Sequence, residues 1–214
     1  ETEVGESTSA IISSKIAPRL NSLGRIANPQ DGVRLLLVRN ALAAEKLAIQ
    51  LNLYNIERQK IEKMMTKDIL RMFQEQAEIL LRKAIIMASR KWHPGIIPIL
   101  AMRLSKFYNR PCVLIALEGQ IGKGSIRSIP EFPVLHVLKK LSPLLLSYGG
   151  HDSAAGFIIR EHNIPAFTTG FCEIVDSSLQ ETQIHPKLYI DATVSFKTLT
   201  FELMESLTLL EPYG

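Results

Sequence analysis

Apolar residues recur at helical spacing in the first third of the chain and in short strand-like runs after it. From Asn28-Pro29, which reads as an N-cap followed by proline at the first helical position, to about Asn52 the chain is dense in Leu, Ala, Val and Arg. This predicts one helix or two closely joined ones. From about Ile56 to Leu81, Ile61, Met64, Met65, Ile69, Met72 and Phe73 fall near a 3.6 period, with Lys, Arg, Glu and Gln assigned to the other face. From residue 84 the pattern predicts strands at Ala84–Ala88, Cys112–Leu117, about Gly124–Ile129 and Phe157–Ile159. Helices are expected at Gly95–Tyr108, near Val134–Leu146 and at about Ala166–Leu179. Alternation of this kind specifies an α/β domain of about 95 residues. A further strand at Leu188–Val194 and a helix at Thr198–Leu209 end at Glu-Pro-Tyr-Gly.

Composition fits a soluble globular protein of 214 residues, 46% hydrophobic and 21% charged. No apolar run approaches the roughly 18 to 20 residues that cross a bilayer. The first residues, Glu-Thr-Glu-Val-Gly-Glu-Ser-Thr, are polar and acidic, unlike a signal peptide, so a cytoplasmic location and no membrane partner are expected. The chain starts at Glu1, which suggests an excised fragment. Cys112 and Cys172 are far apart and outside any Cys-x-x-Cys spacing; they are expected to pack as small hydrophobes.

Charge is segregated along the chain. Residues 82 to 140 carry eleven Lys and Arg against Glu118 and Glu131, a local balance of +9, whereas residues 161 to 214 stand at −6. A basic middle of this kind suits a polyanion, nucleic acid first among them, although solvated helix faces would give the same count.

Candidate chemistry concentrates in four turns. Gly149-Gly150-His151 opens a run of small residues, Asp-Ser-Ala-Ala-Gly, that reads as a glycine-rich turn: an anion cradle with a histidine at its rim, or a tight turn with a surface histidine. Trp92-His93-Pro94-Gly95 joins a strand to a helix, where His93 either meets an anion or caps locally. In Gly122–Ser128, extended backbone would put Lys123, Ser125 and Arg127 on one face, suited to phosphate oxygens; the Walker A spacing is absent, and an edge hairpin is the alternative. Pro18–Arg25 supplies Arg19 and Arg25, either as a phosphate clamp or as a solvated linker. Asp31, Asp68, Asp152, Asp176 and Asp191 are dispersed, so no two-metal centre is expected, and His136, His162 and His185 are assigned surface or structural roles.

Taken in order, Lys-Ile-Ala-Pro-Arg-Leu-Asn-Ser-Leu-Gly-Arg-Ile, Trp-His-Pro-Gly-Ile-Ile, Gly-Lys-Gly-Ser-Ile-Arg-Ser and Gly-Gly-His-Asp-Ser-Ala-Ala-Gly-Phe resemble the RecJ-type single-stranded-DNA exonucleases of the DHH phosphoesterase superfamily. The resemblance runs from about Lys15 to the end; Pro98 departs from the small residue usual there. It implies a linker at 1–28 from a DHH domain outside these residues and a helical connector at 29–82. A DHH-associated α/β domain with a mixed sheet would follow at 83–182, and 183–214 would lead toward an oligonucleotide-binding fold. It further implies that Arg19, Asn21 and Arg25 face substrate, that Ser125 and Arg127 hold phosphates, with Lys123 beside them by the alternation above, and that Gly149 and Gly150 touch the phosphate near the scissile bond. His151 would act at that phosphate as the catalytic member, and His93 is a further contact. No metal ligand or cofactor is expected in this chain, Mn²⁺ or Mg²⁺ belonging to the upstream DHH domain of the parent enzyme. The expected function is the substrate-binding part of a 5′-to-3′ exonuclease of DNA repair and recombination, inactive alone, with single-stranded DNA as partner and a single-strand-binding protein or helicase alongside. The alternatives are a DHH-family phosphodiesterase for oligonucleotides or cyclic dinucleotides, and a noncatalytic nucleic-acid-binding module.

Overall fold

In Cys112–Glu118, five consecutive residues are fully or almost fully buried, the signature of a strand covered on both faces. The computed structural model describes residues 8–185, 187–188 and 190–212. They fall into two units, residues 18–185 and a smaller one drawn from both chain ends. The smaller unit contains helical turns at Ser9–Ile11 and Ile12–Ile16 and an eight-residue helix, Phe201–Thr208, capped by the Thr200 hydroxyl. The strand expected at Leu188–Val194 does not form among the described residues of that stretch, and Tyr189, Tyr213 and Gly214 lie outside them.

Helix α1 (Ala17–Ile26) lies within residues 1–28, the segment expected to be a linker. The burial of Ser22 and Leu23 ties the segment down. Asn28 Oδ1 accepts from the Gln30 N–H at 3.0 Å, capping α2 (Gln30–Leu37) as its sequence suggests. A second Asn cap, in which Asn40 Oδ1 accepts from the Ala43 N–H, starts α3 (Ala41–Glu75). The break expected between Asn52 and Ile56 does not occur. No Gly or Pro interrupts these 35 residues, and a buried stripe runs on through Leu51, Asn55, Glu62, Met65, Ile69 and Phe73. The placing of all charged residues on the outer face is thus corrected at Glu62, while Met64 is exposed. A 3₁₀ turn, Ala77–Leu81, completes the connector.

The sheet comprises β1 (Ile85–Ser89), β2 (Cys112–Glu118), β3 (Ile121–Arg127), β4 (Leu145–His151) and β5 (Ala154–Arg160), in the order β1-β2-β3-β5-β4. Only β1 and β2 are parallel, joined by α4 (Ile97–Tyr108). One face packs Val113, Ile115, Ile126, Phe157 and Ile159 beneath α5 (Val134–Lys140) and α6 (Ile164–Ser178), whose Phe167 and Phe171 are fully buried. The other packs Ile85, Met87, Cys112 and Leu114 against α4 and the second half of α3. Two expectations shift here. The helix expected to reach Leu146 ends at Lys140, because Ser142–Leu144 forms a 3₁₀ turn around Pro143 and the next residues pair with β5. The supposed glycine turn is likewise the end of strand β4; the turn itself is Asp152-Ser153, and β3 starts three residues earlier than expected. Of the cysteines, Cys112 is buried and Cys172 half-buried, and burial raises both thiol pKa values, which suits packing rather than reactivity.

Candidate nucleic-acid interface

Alternation along β3 sends Lys123, Ser125 and Arg127 to one face and Gly122, Gly124 and Ile126 to the other. Gly124 has a packing reason: a Cβ there would lie 2.1 Å from the Phe157 ring. In-register neighbours share a face, so the pairing defines two rungs across three strands. Ser125 lies opposite Gly156, and Gly156 opposite Gly149; Arg127 lies opposite Ala154, and Ala154 opposite His151. A third rung joins Lys123, Ile158 and Ser147. Helix α4 packs on β2 and β3, leaving Ser125 nearly buried, whereas Gly149, His151 and Gly156 are exposed. The uncovered half of the sheet is therefore floored by small residues and bordered by Arg127 and His151, whose backbones stand two strand spacings, about 10 Å, apart.

The border is held from behind. The Ser128 N–H donates to the Ser153 carbonyl at 3.0 Å and the Val134 N–H to the Asp152 carbonyl at 2.9 Å, fixing the hairpin that ends β4. Arg127 is half-buried; Nη1 donates to the Ile126 carbonyl at 2.9 Å, and burial lowers its pKa from the ordinary arginine value. Beside it lies an open cleft of about 410 Å³ lined by Met102, Lys106, Asn109, Ser128 and Ser153. Gly150 sits one residue out of phase with the rungs. It has φ +142°, and a Cβ would come within 2.5 Å of the Ala154 carbonyl oxygen and Ala155 Cα, so its backbone and packing explain it. Lys123 is half-exposed and pairs loosely with Glu118 at 3.8 Å.

Helix α1 brings its two arginines to other elements. Arg19 Nε donates to Asn52 Oδ1 of α3 at 3.0 Å, and Arg25 Nη1 to the Gly95 carbonyl at 3.2 Å. Asn21 is exposed, two positions on from Arg19 and so on a different helix face. His93 Nδ1 accepts from the Gly95 N–H at 3.1 Å, which is the local-cap geometry. Burial lowers the Arg25 pKa, repulsion by Arg58 and Arg127 adds to it, and Glu62 opposes it. The Pro18–Arg25 motif and the end of β3 thus lie within Coulombic reach of each other.

The pattern of the chain did not disclose Asn55, Arg58, Glu62 and Arg103. Arg58 Nε donates to Asn55 Oδ1 at 3.1 Å and its Nη1 to Glu62 Oε2 at 2.5 Å, while Arg103 Nη1 donates to Glu62 Oε1. The available signal was Asn55 and Glu62 standing on the apolar stripe of α3, since polar residues at core positions require partners. Among the described residues no group of three or more His, Cys, Asp or Glu is placed to hold a metal ion, so the donor set does not fit a divalent metal. His136, His162 and His185 are exposed.

Comparison with known proteins bears on the fold. Residues 81–177 match the model of the DHHA1 domain. The chain is 31% identical to the single-stranded-DNA-specific exonuclease RecJ of Bacillus subtilis over 99% of its own length and 27% of that protein. It is 32% identical to RecJ of Thermus thermophilus over 94% of itself and 28% of the relative. A crystal structure of Thermus thermophilus RecJ in complex with Mn²⁺ superposes with a TM-score of 0.81, covering 97% of this chain and 30% of that one. A manganese-bound exonuclease RecJ gives a TM-score of 0.70 over 80% of this chain and 42% of that one. The chain thus spans between about a quarter and two fifths of these relatives. Residues 81–177 thus match the DHHA1 domain, and the chain as a whole is similar in sequence and fold to a part of these RecJ exonucleases.

Proposed function

We propose that this chain is the DNA-binding part of a RecJ-type single-stranded-DNA exonuclease, and that its open sheet face carries the backbone of one strand. The observation that supports this most is the pair of rungs, Ser125–Gly156–Gly149 and Arg127–Ala154–His151, where small residues permit close approach and a guanidinium and an imidazole border the floor. Phosphate oxygens suit such a surface. No Phe, Tyr or Trp stands on these rungs, so contact is to phosphate and sugar rather than by base stacking, and binding is sequence-tolerant and salt-sensitive. His151 and Arg127 would steady the phosphate near the bond that is cut; Ser125, Gly149, Lys123, Arg25 and His93 would guide the strand, and Arg19 and Asn21 would border its path along α1.

The hydrolytic step, with 5′-to-3′ polarity, Mn²⁺ or Mg²⁺, and a place in repair and recombination, is assigned to the parent protein. Residues 1–214 alone are expected to bind and not to cut. The test is a titration of this chain with a 5′-phosphorylated single strand, repeated for Arg127→Ala and His151→Ala and after addition of Mn²⁺. Weaker binding by both variants and no cleavage are expected. Unchanged affinity in both would remove the phosphate assignments, and metal-dependent digestion abolished by His151→Ala would overturn the inactivity.

A further inference from the structure

A carboxylate stands in the middle of the positive cluster. Glu62 is 8% exposed, and each of its oxygens takes a different guanidinium: Oε2 from Arg58, one turn earlier on α3, and Oε1 from Arg103 on α4. Arg58 is gripped a second time by Asn55, itself buried. Arg103 reaches Glu62 with one nitrogen, and its side chain is 59% exposed. Arg25 lies within Coulombic reach of Arg58, Arg127 and Glu62. Arg58 and Arg127 repel Arg25, and for a surface that binds polyanions a carboxylate among such groups is by charge alone unfavourable.

We propose that Glu62 is a positioning residue: by holding Arg58 and Arg103 on separate oxygens it offsets the charge gathered around Arg25 and fixes the guanidinium of Arg103, the exposed member of the pair, for phosphates to meet. The inference rests on the DNA-binding reading above. It predicts an effect of opposite sign to simple electrostatics, because removing the negative charge should weaken binding of a polyanion.

The experiment measures affinity of the 214-residue chain for a 5′-phosphorylated oligothymidylate at several salt concentrations, with melting temperatures in parallel. Glu62→Gln keeps the shape and removes the charge; Glu62→Asp keeps the charge and shortens the reach. Glu57→Gln makes the same charge change on the same helix, at a half-exposed residue 3.7 Å from Lys60. Both Glu62 variants are expected to bind about fivefold more weakly, with a salt dependence shallower by about one phosphate contact. Glu57→Gln should bind as tightly as the parent or more so. Tighter binding by Glu62→Gln with no change in Glu62→Asp would overturn the proposal, leaving Glu62 a plain negative charge. Lower melting temperatures with parental affinity below the melt would also overturn it, leaving a structural role. Should Glu62→Gln fail to fold, Glu62→Asp decides: a loss of affinity supports positioning and parental affinity ends it. A parent chain that does not bind, or that ignores Arg127→Ala, removes the DNA reading and this inference with it. A parent that binds and responds to Arg127→Ala while ignoring both Glu62 changes removes this inference alone.

Discussion

The backbone of Arg25 occupies the space into which a side chain at Gly95 would project: a Cβ there would stand 2.0 Å from the Arg25 carbonyl oxygen, while Arg25 Nη1 donates back to the Gly95 carbonyl at 3.2 Å. Two motifs seventy positions apart are therefore one joint. Gly95→Ala should push α1 from the domain, lowering stability by about 1–3 kcal/mol through overpacking. It should also displace Arg25 and weaken DNA binding; denaturant unfolding and the same titration would check both.

Arg127 and Lys123 share a face of β3 but differ in setting, the first half-buried and the second half-exposed. Arg127→Ala should cost about tenfold in affinity and lower the salt slope by about one, whereas Lys123→Ala should do little at physiological salt. Equal effects would mean that net charge alone matters.

Adjacent glycines should respond differently. A Cβ on Gly149 meets nothing within 4 Å, so Gly149→Ala is expected to fold as the parent does while its methyl group obstructs a strand on the open face. Gly150→Ala, at φ +142° and against Ala155, should instead lose about 1–3 kcal/mol of stability. Parental affinity in Gly149→Ala would show that no ligand approaches that rung closely.

Trp92 Nε1 donates to Asp68 Oδ2 at 2.9 Å, and Arg71 Nη2 to Asp68 Oδ1 at 2.7 Å, linking α3 to the loop after β1. Burial alone would raise the Asp68 pKa; the Trp92 and Arg71 hydrogen bonds and the charges of Arg71 and Lys91 outweigh it and hold it below its ordinary value of 3.8. A depressed carboxylate contributes stability that is present above the unfolded pKa and is lost as pH falls through the folded one. The protein should therefore lose stability below about pH 4, and Asp68→Asn should remove about 1–2 kcal/mol at neutral pH along with that part of the acid dependence. Fluorescence of Trp92, the only tryptophan, reports both.

Strands β1 and β2 and helices α4 and α6 were legible within a few residues, because runs such as Val113-Leu114-Ile115 are apolar without interruption. Strand β4 was not: Leu145–His151 is half glycine and polar, exposed at every residue after Leu145, and is a strand because β5 pairs with it. Spacing alone put Lys123, Ser125 and Arg127 on one face, yet the alignment of Ser125 with Gly149 across Gly156 depends on register and strand order, which are non-local. Arg58 and Arg103 escaped notice for the same reason, since what joins them is a single buried carboxylate on another turn or another helix.

Helix α3 is about 52 Å long at 1.5 Å per residue. Its buried stripe begins at Leu51, and before that point Leu42 and Ile49 are exposed. With neither Gly nor Pro along its length to bend at, it is a beam clamped from Leu51 onward and more exposed before it, carrying α2 near that exposed end. A displacement of α2 must then be taken up as rotation about the clamp. Because the clamp includes Glu62 and Asp68, the fulcrum of that lever is the same set of contacts that holds the guanidinium groups in place.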